Sequence, residues 1–423
     1  MKKMVKSNYF MEVQSTMKIL IVNAGSSSLK YQLVDMNGEV VLAKGLVARI
    51  GLAGSSLEQK RPGDAEKYIV ECDMPTHVEA CKNMLAALTD AEHGVVTNMD
   101  EIGAVGHRVL HGGEKFTESV IINDDVLEAI RENIPLGPLH NPANLMGIQA
   151  CQQVMPTTPM VAVFDTAFHQ TMPPKAYLYG VPLKYYKELH VRRYGFHGTS
   201  HRYVSARAAE FLGKKAEDLR IITVHLGNGS SLAAVDHGKC MDTSMGLTPL
   251  EGVLMGTRSG NLDPAVVQFI MNNAKKEDGT PEFNTIDEVL DMLNKKSGLA
   301  GMSGLSPDMR DINKAAEEGH EGAELARQVL FAGIRKYIGA YAAVMGGVDV
   351  IAFAGGIGEN GPETREFVMD KFEYLGAKID LEKNAVRGKE ADISAADSKV
   401  KVLVIPTNEE IVIARDTLEL VTK

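Results

Sequence analysis

Two stretches of this chain follow one plan. ILIVNAGSSSLKYQLVD (19–35) and IITVHLGNGSSLAAVD (221–236) each run as an apolar strand, a polar residue (Asn23 or His225), a small Gly/Ser turn, and a second strand ending in Asp. A supersecondary unit that recurs after diverging beyond simple self-similarity is what duplication of a fold leaves behind. It predicts two related domains facing a cleft. At 423 residues the chain also exceeds what one hydrophobic core usually serves.

The surrounding pattern is α/β. Val- and Ile-rich runs predict strands at 18–23, 31–35, 160–164, 220–226, 231–235, 349–354 and 401–405, and helical spacing separates them at 201–212, 264–274, 286–295, 322–345, 363–375 and 409–421. Ser306-Pro307 reads as a helix start with Pro at the first position, and Thr407-Asn408-Glu409-Glu410 as a capping box that accounts for Glu410. The leading MKKMVKSNYFMEVQST lacks the continuous apolar core of a signal peptide and reads as a loose extension over 1–16.

Composition narrows the function. A formal net charge of −10 without any Lys/Arg cluster argues against a nucleic-acid partner. No run of 18 apolar residues suggests a membrane span. The cysteines, Cys72, Cys81, Cys151 and Cys240, form no C-x-x-C pair, which fits a reducing cytoplasm. His77 lies between Cys72 and Cys81, but without a second half the group reads as structural, not as a metal site.

A Gly/Ser hairpin tip lets backbone N–H groups approach an anion closely, and serine hydroxyls add donors without bulk. Taken singly, such a turn is an ordinary hairpin turn. Two matching turns, one followed by Lys30, shift the reading toward phosphate, although the spacing of a P-loop is absent. A third cluster, IAFAGGIGENG (351–361), follows a strand and precedes a helix expected near Pro362; with no downstream ribose acid it suggests backbone contact with adenine or ribose, not a dinucleotide fold.

Arg108 in VGHRVLHGGE and Arg258 in LMGTRSGNLDP stand among glycines that would let an anionic ligand reach the guanidinium fork. His197 and His201 in RYGFHGTSH lack the glutamate of a zinc helix, so His197 suits a phosphoryl oxygen and His201 a structural place. Asp165 and Glu409 each follow an apolar strand, where carboxylates can hold Mg²⁺ directly or through water.

With these residues in view, the chain resembles the acetokinase family. The matching segments are NAGSSSLK (23–30), GHRVLHGGE (106–114), PLHNP (138–142), FDTAFH (164–169), YGFHGTSH (194–201), HLGNGSS (225–231), MGLTPLEGVLMGTRSGNLDP (245–264), SPDMRD (306–311), FAGGIGENG (353–361) and IPTNEE (405–410). The resemblance implies a duplicated actin-like (ribonuclease H-like) two-domain ATPase fold with a central cleft. An N-terminal domain over 17–165, joined by a C-terminal helix 410–423, would precede a nucleotide-binding domain over 166–409. It also implies reversible Mg²⁺-dependent phosphoryl transfer between ATP and acetate, with Mn²⁺ as a substitute metal, and a cytoplasmic homodimer.

Roles carry over at matching positions. Asn23 and Glu409 would bind the metal, and Lys30 would face the nucleotide phosphates. ATP would be surrounded by His225, Leu226, Gly227, Asn228 and Gly229, by Asp308, Met309 and Arg310, and by Gly355, Gly356, Ile357, Gly358 and Glu359. Arg108 would grip the acetate carboxylate beside Asp165, within a pocket of Leu110, Leu139, Phe196 and Pro249, while His197 and Arg258 neutralise the phosphoryl group in flight. Leu110 replaces the family's usual Val, and Asn261 its usual Asp, which would hold Arg258 less firmly or change nothing. Competing readings are a propionate or butyrate kinase, a sugar kinase, and a nucleotide-driven filament or chaperone of the same fold.

Overall fold

The first repeat folds as the antiparallel hairpin of β1 (Lys18–Ala24) and β2 (Ser28–Asp35), with Asn23 opposite Lys30. The second folds as β9 (Arg220–Leu226) and β10 (Ser230–Asp236), with His225 opposite Ser231. The chain is described by a computed structural model covering residues 17–423, so the expected extension 1–16 lies outside the described residues. It divides into two units: the segment up to Ala167 together with Asn408–Lys423, and Phe168–Thr407.

In the first unit, β3 (Val40–Ala48), β4 (Ser56–Lys60), β5 (Tyr68–Glu71), β6 (Ile102–Val109), β7 (Val120–Ile121) and β8 (Met160–Phe164) join the hairpin in the order β5-β4-β3-β2-β1-β6-β8-β7. In the second, β11 (Lys239–Thr243), β12 (Val350–Ala354), β13 (Ala391–Asp392) and β14 (Lys401–Val404) give the order β11-β10-β9-β12-β14-β13. Both sheets share one scheme: an antiparallel three-stranded ribbon followed by two parallel strands, β6 and β8 in one, β12 and β14 in the other. This is the duplicated α/β fold that the repeat implied.

The central strands are buried on both faces, as the solid apolar runs of Met160–Phe164 and Val350–Ala354 require. In the first unit, Leu20, Val22 and Leu33 pack with Ala80, Met84 and Cys151 of the helices His77–Leu88 and Asn141–Val154. On the other side, Gly106 of β6 admits the helix Glu409–Thr422, since a Cβ there would fall 2.5 Å from Ile413 Cγ2 and Thr417 Oγ1. In the second unit, Ile222, Val224 and Phe353 meet Ile334 and Ile338 of the 24-residue helix Glu321–Val344. Their neighbours Ile221, Ala233 and Ala352 pack on Val204 and Ala208 from the opposite side.

Several local expectations are corrected. The cap of the last helix is Asn408, whose side chain accepts from Ile411 N–H, so Glu410 is a second-position residue and no capping box forms. Asp308, not Pro307, sets the start of the helix Met309–Glu317, because its carboxylate accepts from Arg310 N–H. The glycine-rich segment enters a short helix at once, Gly355–Asn360, ahead of Pro362–Met369. Its first glycine has φ +73° and would overlap Leu226 O with a Cβ, so the turn requires glycine. The helix expected over 363–375 stops at Met369 and a 3-10 turn covers Glu373–Leu375.

Candidate active site

Within the first unit, β6 and β8 run parallel, with Val109 opposite Phe164, so Arg108 and Asp165 emerge at neighbouring strand ends. Arg108 Nε donates to Asp165 Oδ1 at 3.1 Å, and Nη2 donates to Oδ2. Asp165 is fully buried while the Arg108 side chain keeps 22% exposure. Glu409, carried in by the last helix, approaches Arg108 Nε at 3.9 Å. Burial alone would lower the Arg108 pKa, but the carboxylates of Asp165 and Glu409 hold it above its usual value. Burial also pushes Glu409 up to about 7, opposed by Arg108 and aided by Asp165 and Glu410. Two carboxylates thus share one guanidinium, a set with negative charge in excess.

The first turn is held from outside. His77 Nε2 bonds Gly25 O at 2.8 Å, and Gly25 N–H donates to Ser28 O at 2.7 Å. Asn144 links this turn to the arginine strand: its Nδ2 donates to Ala24 O at 3.0 Å, and its Oδ1 accepts from Leu110 N–H at 3.0 Å. His77 therefore serves the turn; Cys72 and Cys81 turn elsewhere, to Asn83 and Cys151. A groove of about 320 Å³ gathers Asn23, Lys30 and Glu410 with Lys44, Lys60 and Lys67. Those last lysines escaped the sequence reading, because Lys44 and Lys60 reach this groove only through the pairing of β3 with β4, and Lys67 only through the turn before β5.

Within the second unit, the tip Gly227-Asn228-Gly229 is closed by Gly227 N–H to Gly229 O at 3.0 Å, and Asn228 O accepts from Gly256 N–H at 3.0 Å. Gly229 stands between the two charged groups expected at the phosphoryl: a Cβ on it would lie 3.2 Å from the His197 ring and 3.6 Å from Arg258 Nη1. Burial lowers the Arg258 pKa, as for a cation that gains from an anionic ligand. Asn261 does not reach for Arg258; its amide bonds Gly252 N–H and the Tyr337 hydroxyl, both at 2.8 Å.

A cleft of about 750 Å³ is lined by Gly227, Asn228, Asp308, Met309, Arg310, Gly356 and Ile357, together with Pro307, Asn313, Asn360 and Arg387. Asp308, held at about 2 by Arg310, stays ionised there. His225, Leu226, Gly229, Gly355, Gly358 and Glu359 do not line it. Leu226 is core, and Glu359 Oε1 accepts from Gly355 N–H at 2.8 Å and Thr407 N–H at 3.0 Å, bracing the wall from behind. Asn313 follows Met309 by one helical turn and was within reach of periodicity. Arg387 gave no sequence signal; its guanidinium donates to Asn360 O.

Of the expected substrate lining, Leu110 is buried in the first unit and Leu139 is 63% exposed; Phe196 is buried in the second and Pro249 half-buried. The duplicated ribbon-and-crossover sheet, with a glycine-walled cleft in its second unit, is the architecture of the actin-like class of kinases. Residues 18–415 match the model of the acetokinase family. The chain belongs to that family.

Its relatives agree. An acetate kinase of Desulfitobacterium hafniense is 58% identical over 407 residues, covering 96% of this chain and all of that protein. The crystal structure of Porphyromonas gingivalis acetate kinase superposes with a TM-score of 0.90 at 48% identity, over 96% of this chain and 100% of that one. A propionate kinase from Francisella tularensis does so with a TM-score of 0.87 at 40% identity, over 96% and 100%. Among the described residues, no helix is long and apolar enough to cross a membrane.

Proposed function

We propose that this chain moves the γ-phosphoryl group of ATP to acetate by direct in-line transfer, and runs in reverse from acetyl phosphate and ADP. The observation that carries the reading is the Arg108–Asp165 pair: Asp165 occupies the Nε/Nη2 edge of the guanidinium, which leaves the Nη1 side to a small carboxylate. Neither a filament protein nor a chaperone needs such a group, and a sugar kinase needs hydroxyl readers instead.

Carboxylic acids with pKa near 4 are ionised at neutral pH, so acetate attacks without a general base. Asp165 then serves by holding Arg108 and organising the metal side of the site. His197 and Arg258, flanking Gly229, meet the charge that builds on the phosphoryl oxygens. Transfer of this type depends on positioning and charge stabilisation, and one arginine can be worth roughly 10³–10⁵ in rate. The cleft of Asp308–Arg310 and Gly356–Ile357 takes the nucleotide.

Mg²⁺ fits the donor set, because the Asp165/Glu409 excess charge and the raised Glu409 pKa are relieved by a further cation. Asn23 and Glu409 would hold it, and when bound it supplies charge to the ATP phosphates. The homodimer and the cytoplasmic setting come from the resemblance. The propionate kinase relative makes chain-length selectivity the open choice at this site. Trapping acyl phosphate as hydroxamate with acetate, propionate and butyrate tests all of this. Acetate-dependent ADP formation with the highest turnover on acetate is expected; ATP hydrolysis indifferent to any of the acids overturns it.

A further inference from the structure

His197 is the accessible end of a chain of buried side chains. Its Nδ1 lies 2.8 Å from Ser231 Oγ. The same oxygen lies 2.7 Å from His201 Nε2. His201 Nδ1 is 2.7 Å from Thr223 Oγ1, and the Thr223 hydroxyl has Ala233 O at 3.5 Å. Ser231 and His201 are wholly buried and Thr223 is 1% exposed. The His197 backbone is fixed as well, at φ +57° where the helix Gly198–Phe211 begins.

Each hydroxyl carries one hydrogen and a neutral imidazole one, so the chain has a direction. Thr223 donating to Ala233 O leaves its lone pairs for His201 Nδ1–H. Burial, with His169 and His225 near, holds His201 well below its usual pKa and hence neutral, so its Nε2 accepts the Ser231 proton. Ser231 Oγ in turn accepts from His197 Nδ1–H. The reverse direction leaves Ala233 O without the Thr223 donor and satisfies one bond fewer.

We propose that Ser231, anchored by His201 and Thr223, is a positioning residue that keeps the proton of His197 on Nδ1 and turns Nε2 toward the transferring phosphoryl group. With Nδ1–H given to Ser231, Nε2 donates to a phosphoryl oxygen when the ring is doubly protonated, and Ser231 fixes where that donor points. The groups facing it within this unit include His225, with ring centroids 4.5 Å apart, His201 through Ser231, and Arg258 across Gly229. This rests on the phosphoryl-transfer reading of His197, but the position of its proton does not.

The test is ¹⁵N NMR of the histidine-labelled full chain, with kinetics of Ser231→Ala and Thr223→Val. In the wild type, neutral His197 should show the Nδ1–H tautomer. Ser231→Ala should move it toward Nε2–H, the form favoured in water. kcat should fall by about 10–100-fold with KM for ATP and acetate within twofold, as expected of a group acting in the transition state. Thr223→Val, isosteric and two links from His197, should shift both readouts in the same direction by less, and it carries the test if Ser231→Ala does not fold. A wild-type Nε2–H tautomer, or tautomer and kcat unchanged in the folded variants, overturns the proposal. Absence of acid-dependent transfer with the expected tautomers would overturn the functional reading and leave the positioning of His197 standing.

Discussion

Arg108 and Asp165 are paired at the ends of adjacent parallel strands, with the Asp165 amide anchored on Val109 O at 3.0 Å and its carboxylate bonded to Arg108 Nε at 3.1 Å. The acid is fully buried and the base is not. Such an asymmetric pair presents a cation to ligand while the partner charge stays out of water. Replacing Arg108 by Ala leaves a buried carboxylate without its cation, at a cost of about 3–5 kcal/mol. Arg108→Ala should therefore lower the thermal midpoint as well as abolish acetate saturation; a variant of unchanged stability would contradict the pairing.

Asp165→Asn keeps an oxygen for Arg108 but removes the charge. Turnover and Mg²⁺ affinity should fall together, read from a metal titration of the initial rate. A loss of turnover with an untouched Mg²⁺ dependence would mean that Asp165 acts in the chemical step instead.

Gly229→Ala places a methyl 3.2 Å from the His197 ring and 3.6 Å from Arg258 Nη1. The fold should survive, because the turn is at the surface of its hairpin, while kcat drops by about two orders of magnitude through displaced groups. Wild-type kcat in this variant would show that neither side chain works at Gly229.

Leu110→Val removes one methylene at a 6%-exposed position. The kcat/KM ratio of propionate to acetate should rise about tenfold, since a methylene of pocket space is worth about 1–3 kcal/mol. An unchanged ratio removes Leu110 from the acyl pocket.

Burial holds His107 at about 3 and His169 at about 4, and lowers His201 well below its usual value of 6.5. Their folded pKa values lie below the unfolded ones, so the unfolded chain takes up protons first as pH falls below 6.5. Their contribution to stability is full above that pH and is lost progressively toward pH 4, at about 1.4 kcal/mol per pH unit for each group. Glu409, raised to about 7, works oppositely over part of this window and offsets one group. The thermal midpoint should fall between pH 7 and 5, and His107→Asn should flatten the slope; a midpoint that rises on acidification is the contrary outcome.

What was legible in the sequence was local. β8 and β9 and the helix Ile286–Lys295 keep their expected limits, because an apolar run, or an amphipathic turn with a Thr285–Glu288 capping box, is specified by neighbours in the chain. The two hairpins and their glycine tips were equally visible. Tertiary structure decided the rest. Asn144 joins Ala24 to Leu110, Gly229 separates His197 from Arg258, and the chain from Thr223 to His197 passes through side chains distant in sequence. Residue types and short spacings set which groups are available for the chemistry, whereas their distances follow from packing two faces of a sheet, which no local pattern encodes.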